Sequence, residues 1–250
     1  CIILARKGSL RIPNKNLLLF KNYPLVYWTL KQSLRIRNIS KIILSTDSTT
    51  IIKISKSISK KIVINKRIRR LSGSKTKSET VITYLKNKYN LDDNSHILIL
   101  QPTSPLRTDK DINKTIYLAN KYNLQTLHSG NIYKKKIKIN KNFFLFNDKE
   151  QKVLNTSKKF SYNGAIYFFK LKFFLKQKTI YEKSPNLYIM KNKDSLDIDT
   201  YYDLKGFKYK NYKNWKYYHK LIAVKILWML NYNLNYFPII FCLWYEFQKC

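Results

Sequence analysis

Short apolar runs alternate with amphipathic segments along the first half of the chain. The apolar runs are rich in β-branched residues and predict buried strands at Cys1–Ala5, Lys41–Ser45, Lys60–Ile64, His96–Leu100 and Gln125–His128. The segments between them have helical spacing and predict helices at Pro24–Arg35, Ser48–Ser59, about Ser78–Tyr89 and Asp109–Tyr122. Strand and helix in alternation predict an α/β fold, with a mostly parallel sheet and helices on both faces.

Residues suited to helix caps mark where three of these helices begin. Pro24 fits a first helical turn, because its fixed φ is compatible with a helix and its missing N–H needs no partner there. Ser48 can cap the second helix. Thr108 and Asp111 have the spacing of a capping box. Side-chain chemistry therefore supports the helix starts that periodicity indicates.

The pattern changes in the second half of the chain. Residues 132–160 are rich in Lys and Asn and predict an inserted hairpin arm that leaves the sheet. Strand-like runs return at Ala165–Phe169 and Leu187–Met190, and a last helix starts at Thr200. The sheet is therefore expected to be completed by residues that follow the arm.

We expect one domain over residues 1–206 and a separate tail over residues 207–250, to which no function is assigned. The apolar run LIAVKILWML in the tail is too short to span a bilayer. The apolar start of the chain is also too short for a signal peptide. Because the chain starts without Met, inside a predicted strand, we expect residues to be missing before it.

Composition adds an extreme positive charge. Lys and Arg number 49 against 14 Asp and Glu, a net charge of +35 that is typical of proteins binding nucleic acids or anionic membranes. The Lys residues are scattered over the whole chain, however, and no nucleic-acid-binding signature is present. We attribute the charge to AT-rich coding and expect no specific nucleic acid partner. A basic nucleic-acid-binding protein stays as the alternative from a different class.

The three cysteines, Cys1, Cys242 and Cys250, lie at the two ends of the chain. An odd number in these positions provides neither a disulfide framework nor a metal-ligand spacing. A reducing compartment fits this arrangement, and we expect a cytoplasmic protein.

Candidate chemistry lies where strands end, because open α/β sheets bind ligands at the carboxyl ends of their parallel strands. The first strand runs into ARKGSLRIPNKN, a loop with four cations. Arg6 can fork onto phosphate oxygens and Lys15 can act as a point charge. The loop matches neither a P-loop nor a dinucleotide fingerprint. It predicts a polyphosphate site, with a solvated basic loop as the alternative.

Two later stretches add polar groups at strand ends. In DSLDIDT, Asp197 and Asp199 point to the same side of an extended chain and suit Mg²⁺, which shares carboxylates with substrate phosphates. Alternatively, Asp199 caps the helix that follows. In QPTSPLR, Gln101 stands at a strand end and can orient a polar substrate such as a sugar. The alternative there is a rigid turn into the next helix.

Six motifs resemble, in order and spacing, those of the acylneuraminate cytidylyltransferases, the CMP-sialic acid synthetase family: ILARKGSLRIPNKNL, STDS, RIRRLSGSKTKSETVI, QPTSPLRT, NGAIY and SLDIDT. The resemblance covers roughly residues 1–206. It implies a Rossmann-like fold of the nucleotide-diphospho-sugar transferase type, with an arm that forms a homodimer. It also implies that CTP and a nine-carbon nonulosonic acid give a CMP-sugar and pyrophosphate, with Mg²⁺ or Mn²⁺, for surface glycan biosynthesis.

The resemblance assigns roles to individual residues. It implies that the nucleotide is bound by Ala5, Arg6, Ser9, Lys15, Asn16, Arg67 and Ser78. It implies that the sugar is contacted by Gln101 and Asn163. It implies catalytic roles for Arg6, Lys15, Asp197 and Asp199, the two aspartates as metal ligands. The sugar's anomeric hydroxyl is expected to attack the α-phosphorus in line, and no general base is identified.

The chain departs from the family pattern at several positions. Leu10 stands where Lys is usual, although Arg11 beside it can supply a charge; Lys7 replaces a common Gly, and Ser74 stands where Asp is usual. Val153–Ser157 replaces an R-Q-x-L-P element that in the family reaches from the arm toward a sugar. A catalytically impaired homologue is therefore an alternative to the active enzyme. Among active enzymes, we expect N-acetylneuraminic or legionaminic acid as the substrate, with pseudaminic acid as the alternative.

Overall fold

The computed structural model of the chain describes residues 1–133, 144–146, 152–154, 159–183 and 185–204. Within these residues the fold is a nine-stranded, mostly parallel sheet with helices on both faces, which confirms the predicted α/β class. The expected tail over 207–250 and much of the expected arm over 132–160 lie outside the described residues. No helix in the described part of the chain has the length and apolar content needed to cross a membrane.

The bounds of the elements are as follows. The described strands are β1 (Ile2–Leu4), β2 (Leu19–Phe20), β3 (Tyr23–Pro24), β4 (Ile42–Thr46), β5 (Ile62–Lys66), β6 (His96–Leu100), β7 (Thr126–Tyr133), β8 (Phe144–Phe146), β9 (Lys152–Leu154), β10 (Lys159–Lys170) and β11 (Leu187–Ile189). The α-helices are α1 (Leu25–Ser33), α2 (Thr49–Ile58), α3 (Ser78–Lys88), α4 (Asp109–Lys121) and α5 (Leu171–Gln177). Short 3-10 helices lie at Lys15–Leu17, Arg69–Leu71 and Asn192–Asp194.

The order of the strands brings the predicted loops to one edge of the sheet. The order is β5-β4-β1-β6-β10-β7-β11-β8-β9, and β2 pairs only with β3. The first four strands of this order run parallel, whereas β10 is antiparallel to both β6 and β7. Because parallel strands end at the same edge, the loops that follow β1, β4 and β6 lie side by side.

Apolar side chains on both faces of the sheet form the core. Ile2 of β1 packs with α3 and α5, whereas its neighbour Ile3 packs with α1 and α2. In the same way Ile99 of β6 faces α3 and α5, and Leu100 faces α4. Strands covered on both faces need continuous apolar runs, which is why the sequence marked them clearly.

The helix starts follow the predicted caps. The side chain of Ser48 accepts a hydrogen bond from the N–H of Ile51 at the start of α2. Thr108 and Asp111 form a complete capping box at the start of α4. Pro24 directly precedes the first residue of α1. The caps at Ser48 and at Thr108 with Asp111 are confirmed, whereas Pro24 ends β3 and lies outside the first turn in which it was predicted.

Other parts of the prediction differ from the structure. Strands β7 and β10 are longer than expected, because they pair with each other as an antiparallel ladder at their far ends as well. Helix α5 and the β2–β3 hairpin were not predicted. The expectation that the arm leaves the sheet is wrong for its described part, since β8 and β9 pair with each other and extend the sheet beyond β11.

A buried arginine connects three elements of this fold. Arg107 follows β6 and is only 1% exposed. Its guanidinium donates to the carbonyls of Gln101 and Ala165, at 3.2 and 2.6 Å, and to side-chain oxygens of Thr29 and Gln32, at 3.0 and 2.8 Å. Burial lowers the pKa of Arg107 to about 9, although nearby carboxylates oppose this effect. The end of β6, the middle of β10 and α1 are thus joined through one side chain.

Replacing Arg107 with Met should destabilise the fold strongly, because its buried acceptors would lose their donor. We expect a loss of about 3–5 kcal/mol in the free energy of unfolding, comparable with breaking a buried ion pair, and a Tm lower by about 6–15 °C. Thermal unfolding followed by circular dichroism measures it. The matched control is Arg35→Met, which removes an exposed ion pair with Asp109 and should cost less than about 1 kcal/mol. Equal losses in the two variants would contradict the assignment.

Candidate active site

Three loops at the carboxyl edge of the sheet contact one another or the acidic segment 195–200. The N–H of Lys7, in the loop after β1, donates to Oδ1 of Asp47, in the loop after β4, at 2.6 Å. The N–H of Ile198 donates to the carbonyl of Thr103, in the loop after β6, at 2.8 Å. The structure therefore brings together the stretches that the sequence indicated separately.

The loop after β1 is fixed by hydrogen bonds from both of its ends. Ala5 is fully buried, and its N–H donates to the carbonyl of Ser45 at 3.0 Å. The side-chain amide of Asn16 donates to the carbonyl of Arg6 at 2.9 Å. The guanidinium of Arg6 donates to the carbonyl of Gly73 at 2.6 Å. This arrangement holds the loop as a closed turn, and the region between this loop, Arg67 and the acidic segment 195–200 is called the cleft below.

Arg67 lies at the base of that cleft. It is 8% exposed, and its guanidinium donates to both the hydroxyl and the carbonyl of Ser45, at 3.2 and 3.1 Å. Burial lowers the pKa of Arg67; Asp47 opposes the shift and the charge of Arg6 adds to it. Two guanidinium groups that repel each other across a cleft favour an anion between them.

Two serines complete the predicted nucleotide set. Ser9 lies half-buried in the loop after β1, and Ser78 is the exposed first residue of α3. The first N–H groups of a helix have no partner within the helix and suit phosphate oxygens. Nucleotide binding by these two serines, and by Ala5 and Asn16, stays a prediction.

Asp199 joins the positive loop to the acidic segment. Its Oδ1 accepts from Nζ of Lys15 and its Oδ2 from Nη1 of Arg11, both at 2.6 Å. Partial burial of the carboxyl works toward a higher pKa, but the two cations outweigh it, so that the pKa of Asp199 is lowered. The carboxylate is therefore ionised at neutral pH.

Two other residues cap the helix that begins after Asp199. Oδ2 of Asp203 accepts from the N–H and the hydroxyl of Thr200, at 2.7 and 2.8 Å, and the hydroxyl of Thr200 accepts from the N–H of Asp203 at 3.4 Å. This is a capping box, so the alternative in which the side chain of Asp199 caps the helix is wrong. Its carboxylate is left for ionic partners.

Asp197 has a carboxyl oxygen that lacks a partner. Its Oδ1 is buried and accepts no hydrogen bond from the described residues. Burial raises the pKa of Asp197 to about 6; a hydrogen bond from Thr103 and the charge of Lys15 oppose the shift, and the charge of Asp199 adds to it. A buried carboxyl oxygen that has no hydrogen-bond partner favours a bound cation.

Gly164, in the irregular part of β10, keeps the space beside Asp197 open. Its φ is +74°, and a Cβ at this position would lie 3.4 Å from Oδ2 of Asp197 and 3.5 Å from Oε1 of Gln101. Two oxygens on different loops therefore approach one point above the glycine. The hydroxyl of Thr103 also lies 3.4 Å from Oε1 of Gln101. Sugar binding by Gln101 stays a prediction, and its position beside the carboxylate supports it.

Asn163 is buried beneath this point. It is 6% exposed, and its Oδ1 accepts from the hydroxyl of Ser129 at 2.5 Å. Its Nδ2 donates to the hydroxyl of Ser195 at 2.7 Å and to Oδ1 of Asn131 at 3.3 Å. These bonds fix β10 to β7 and to the start of the acidic segment. The predicted sugar contact of Asn163 stays untested, and its present contacts are those of a positioning residue.

An aromatic cluster borders the carboxylates. The rings of Tyr162, Tyr167 and Tyr181 lie with centroids 5.5, 5.1 and 5.6 Å from that of His128. Burial lowers the pKa of His128 to about 4, so this ring is neutral. Burial, then Tyr181, and more weakly the charge of Asp197, raise the pKa of Tyr167. His128 and Tyr167 are buried, whereas Tyr181 is 38% exposed and offers an apolar, hydroxyl-bearing ring of the kind that suits a sugar.

The oxygen groups at this point fit Mg²⁺. The described residues contain no cluster of three or more His, Cys, Asp and Glu that could hold a metal alone. Mg²⁺ usually takes only one or two carboxylates and completes its shell with water and substrate phosphates. Asp197, with its orphaned oxygen, and Asp199 satisfy that requirement; Mn²⁺ takes the same ligands.

Sequence reasoning gave no site role to five residues that build the site. Asp47 and Thr103 lie in motifs that were recognised, but they received no role. Arg107 was read only as part of a rigid turn. The spacing of Thr200 and Asp203 is that of a capping box and could have shown that Asp199 is not the cap.

The departures from the family pattern lie at the margin of the cleft. Leu10 is 81% exposed and points away from the core. Lys7 and Ser74 are exposed as well. The side chains of Val153–Ser157 lie outside the described residues. The exposed departures therefore leave the buried framework of the site unchanged.

Two relatives match over most of this chain. A pseudaminic acid cytidylyltransferase of Campylobacter jejuni is 28% identical over 221 residues, which is 83% of this chain and 94% of the relative. An N-acylneuraminate cytidylyltransferase of Escherichia coli O18:K1:H7 is 28% identical over 215 residues, 81% of this chain and 49% of that longer protein.

A solved structure with the same fold is the CMP:2-keto-3-deoxy-manno-octonic acid synthetase in complex with CTP. It aligns with a TM-score of 0.60 and 13% identity, over 84% of this chain and 96% of that structure. At this identity the likeness shows the fold alone.

A model of the cytidylyltransferase family matches residues 1–225, well over half of the chain and past the expected domain end at 206. The match includes every segment that forms the cleft, from the cationic loop to the acidic segment. The chain belongs to the cytidylyltransferase family and is a nucleotidyltransferase.

Proposed function

We propose that this protein transfers the cytidylyl group of CTP to a nine-carbon nonulosonic acid, giving a CMP-sugar and pyrophosphate for surface glycan biosynthesis. The observation that carries the proposal is the convergence of Asp197, Asp199 and Lys15 at one cleft. Relatives named for pseudaminic and N-acylneuraminic acid match at the same identity, which supports the substrate class and leaves the individual acid to experiment.

The cationic loop is the nucleotide side of the site. Arg6 and Arg67 flank the cleft at its base, and Lys15 stands at its acidic side. The guanidinium groups of Arg6 and Arg67 are oriented by backbone carbonyls and are available to phosphate oxygens without a large reorganisation. These residues orient the triphosphate and stabilise the negative charge that moves onto the departing pyrophosphate.

The opposite wall is the sugar side. Gln101 has both donor and acceptor atoms next to the open space above Gly164. Tyr181, the exposed ring of the aromatic cluster, adds an apolar, hydroxyl-bearing surface. Together they hold the attacking hydroxyl near the α-phosphorus, so that positioning supplies much of the rate. Held by Asp197 and Asp199, Mg²⁺ would neutralise phosphate charge.

The geometry favours an active enzyme over an impaired homologue. The aspartate pair, its neighbouring lysine and Gln101 are all placed at the cleft, whereas Leu10, Lys7 and Ser74 lie at its exposed margin. The proposal includes the homodimer and the cytoplasmic location that the family resemblance implies.

Pyrophosphate release from CTP with Mg²⁺ is the direct test. We expect release with one of N-acetylneuraminic, legionaminic and pseudaminic acid, and none when ATP, GTP or UTP replaces CTP. The rate is followed by a coupled phosphate assay after pyrophosphatase. Folded protein that binds CTP but releases nothing with any acid would support the impaired homologue instead.

Replacing Asp199 with Asn should abolish turnover without unfolding the protein, because the cap at Thr200 does not use this side chain. Loss of a partner of a metal ligand already costs about 10–100-fold, so we expect loss of the ligand itself to exceed about 100-fold. Steady-state kinetics and a thermal melt measure the two effects. Asp93→Asn, which removes an exposed partner of Lys86, is the matched control. Full activity in Asp199→Asn would refute the metal assignment.

The pH profile should depend on the metal concentration. The pKa of Asp197 is about 6, so this carboxyl becomes protonated, and loses its capacity for Mg²⁺, as the pH falls through that value. At low Mg²⁺ we expect kcat/KM to fall with a midpoint near this pH. Higher Mg²⁺ should move the midpoint to lower pH, because metal and proton compete for one carboxylate. Profiles at two Mg²⁺ concentrations test this, and a midpoint that does not move would contradict it.

A further inference from the structure

Both oxygens of Asp199 are already occupied by cations of the chain. Lys15 holds Oδ1 and Arg11 holds Oδ2, each at 2.6 Å. The side chain of Lys15 is 15% exposed, that of Asp199 42% and that of Arg11 65%. The Arg11–Asp199 pair is exposed, and an ion pair of this kind contributes little to the stability of a fold. The arrangement therefore needs an explanation other than stability.

The proposed function makes two demands that these ion pairs oppose. A metal ion at Asp199 is repelled by the two cations that already bind the carboxylate oxygens. A triphosphate at the cationic loop needs the positive charges that Asp199 neutralises. Neither ligand binds well while the three side chains remain paired.

The backbone around these residues is fixed by apolar packing. Ile12, next to Arg11, and Ile198, next to Asp199, are both fully buried in one cluster with Phe20 and Leu25. The two loops therefore keep their separation when their charged side chains move. Re-pairing requires only rotation of the long side chains of Lys15 and Arg11.

We propose that Arg11 and Lys15 exchange partners, from Asp199 in the free protein to the phosphates of the nucleotide in the complex. Released in this way, Asp199 accepts the metal, so nucleotide and Mg²⁺ bind with positive coupling. Arg11 also supplies the cation that the exposed Leu10 does not. The inference rests on the proposed function and adds a residue and a binding order to it.

Variants at the two partners should shift binding in opposite directions. Arg11→Gln should bind Mn²⁺ more tightly than wild type without nucleotide, because one oxygen of Asp199 is freed, and should bind CTP more weakly. Asp199→Asn should bind CTP more tightly than wild type in EDTA, because its cations are released. We expect changes of about fivefold or more, in the range of coupling between sites.

Binding measurements test this without any turnover. Free Mn²⁺ is measured by electron paramagnetic resonance, and CTP binding in EDTA by calorimetry. Arg35→Gln and Asp93→Asn carry the same charge changes at exposed ion pairs elsewhere and serve as matched controls. In the Asp199→Asn background, adding Arg11→Gln should still weaken CTP binding, which separates a phosphate contact from a general charge effect.

The outcomes distinguish a failure of the proposed partner exchange from a failure of the proposed function. If wild type binds no CTP even with Mg²⁺, the proposed function is wrong and the exchange with it. If wild type binds CTP with Mg²⁺, but Arg11→Gln neither tightens Mn²⁺ nor weakens CTP, only the exchange is wrong. Weaker CTP binding by Asp199→Asn in EDTA would also overturn the exchange. It would mean that the ion pairs with Asp199 hold Arg11 and Lys15 in the position that binds CTP.

Discussion

The hydrogen bonds of Arg107 are the constraint on which the site depends. The guanidinium joins carbonyls at the end of β6 and in β10, and it reaches α1 through Thr29 and Gln32. Gln101 and the irregular segment of β10 at Gly164 are thereby held in fixed relation. A buried cation without a carboxylate bonded to it is costly in free energy, and the chain offsets that cost with a dense set of acceptors. The acceptors are backbone and side-chain oxygens of the site's own framework.

Strands and helix caps could be predicted where they depend on residues that are close together in the sequence. Buried parallel strands such as His96–Leu100 need apolar runs, and the predicted bounds of this strand are those of the structure. The Thr108–Asp111 capping box depends on one turn of chain and was equally visible. The far ends of β7 and β10 were missed because antiparallel pairing between them replaces the apolar pattern. Strand β8 joins the sheet by pairing with β11, a neighbour distant in sequence.

The site was predictable in its parts more than in its contacts. Paired aspartates and a cationic loop are chemical signals that composition made conspicuous, since acidic residues are few. Their union at Asp199 brings together positions 184 residues apart, and no local pattern states it. The same holds for Asn163, whose partners Ser129 and Ser195 come from two other segments. Side-chain networks between distant positions depend on the fold, so they can be identified only once the fold is known.

The apolar cluster of Ile12 and Ile198 has a consequence for how the site responds to its surroundings. Dissolved salt screens exposed charges, with a Debye length of about 8–10 Å at physiological ionic strength that shortens as salt is added, so exposed ion pairs weaken at high salt. It does not weaken the burial of aliphatic side chains, and excluded salts strengthen it. High ionic strength therefore loosens the charged rim of the cleft while its two loops stay in register. The shape of this site therefore depends on the hydrophobic effect, whereas the strength of its ion pairs depends on ionic strength.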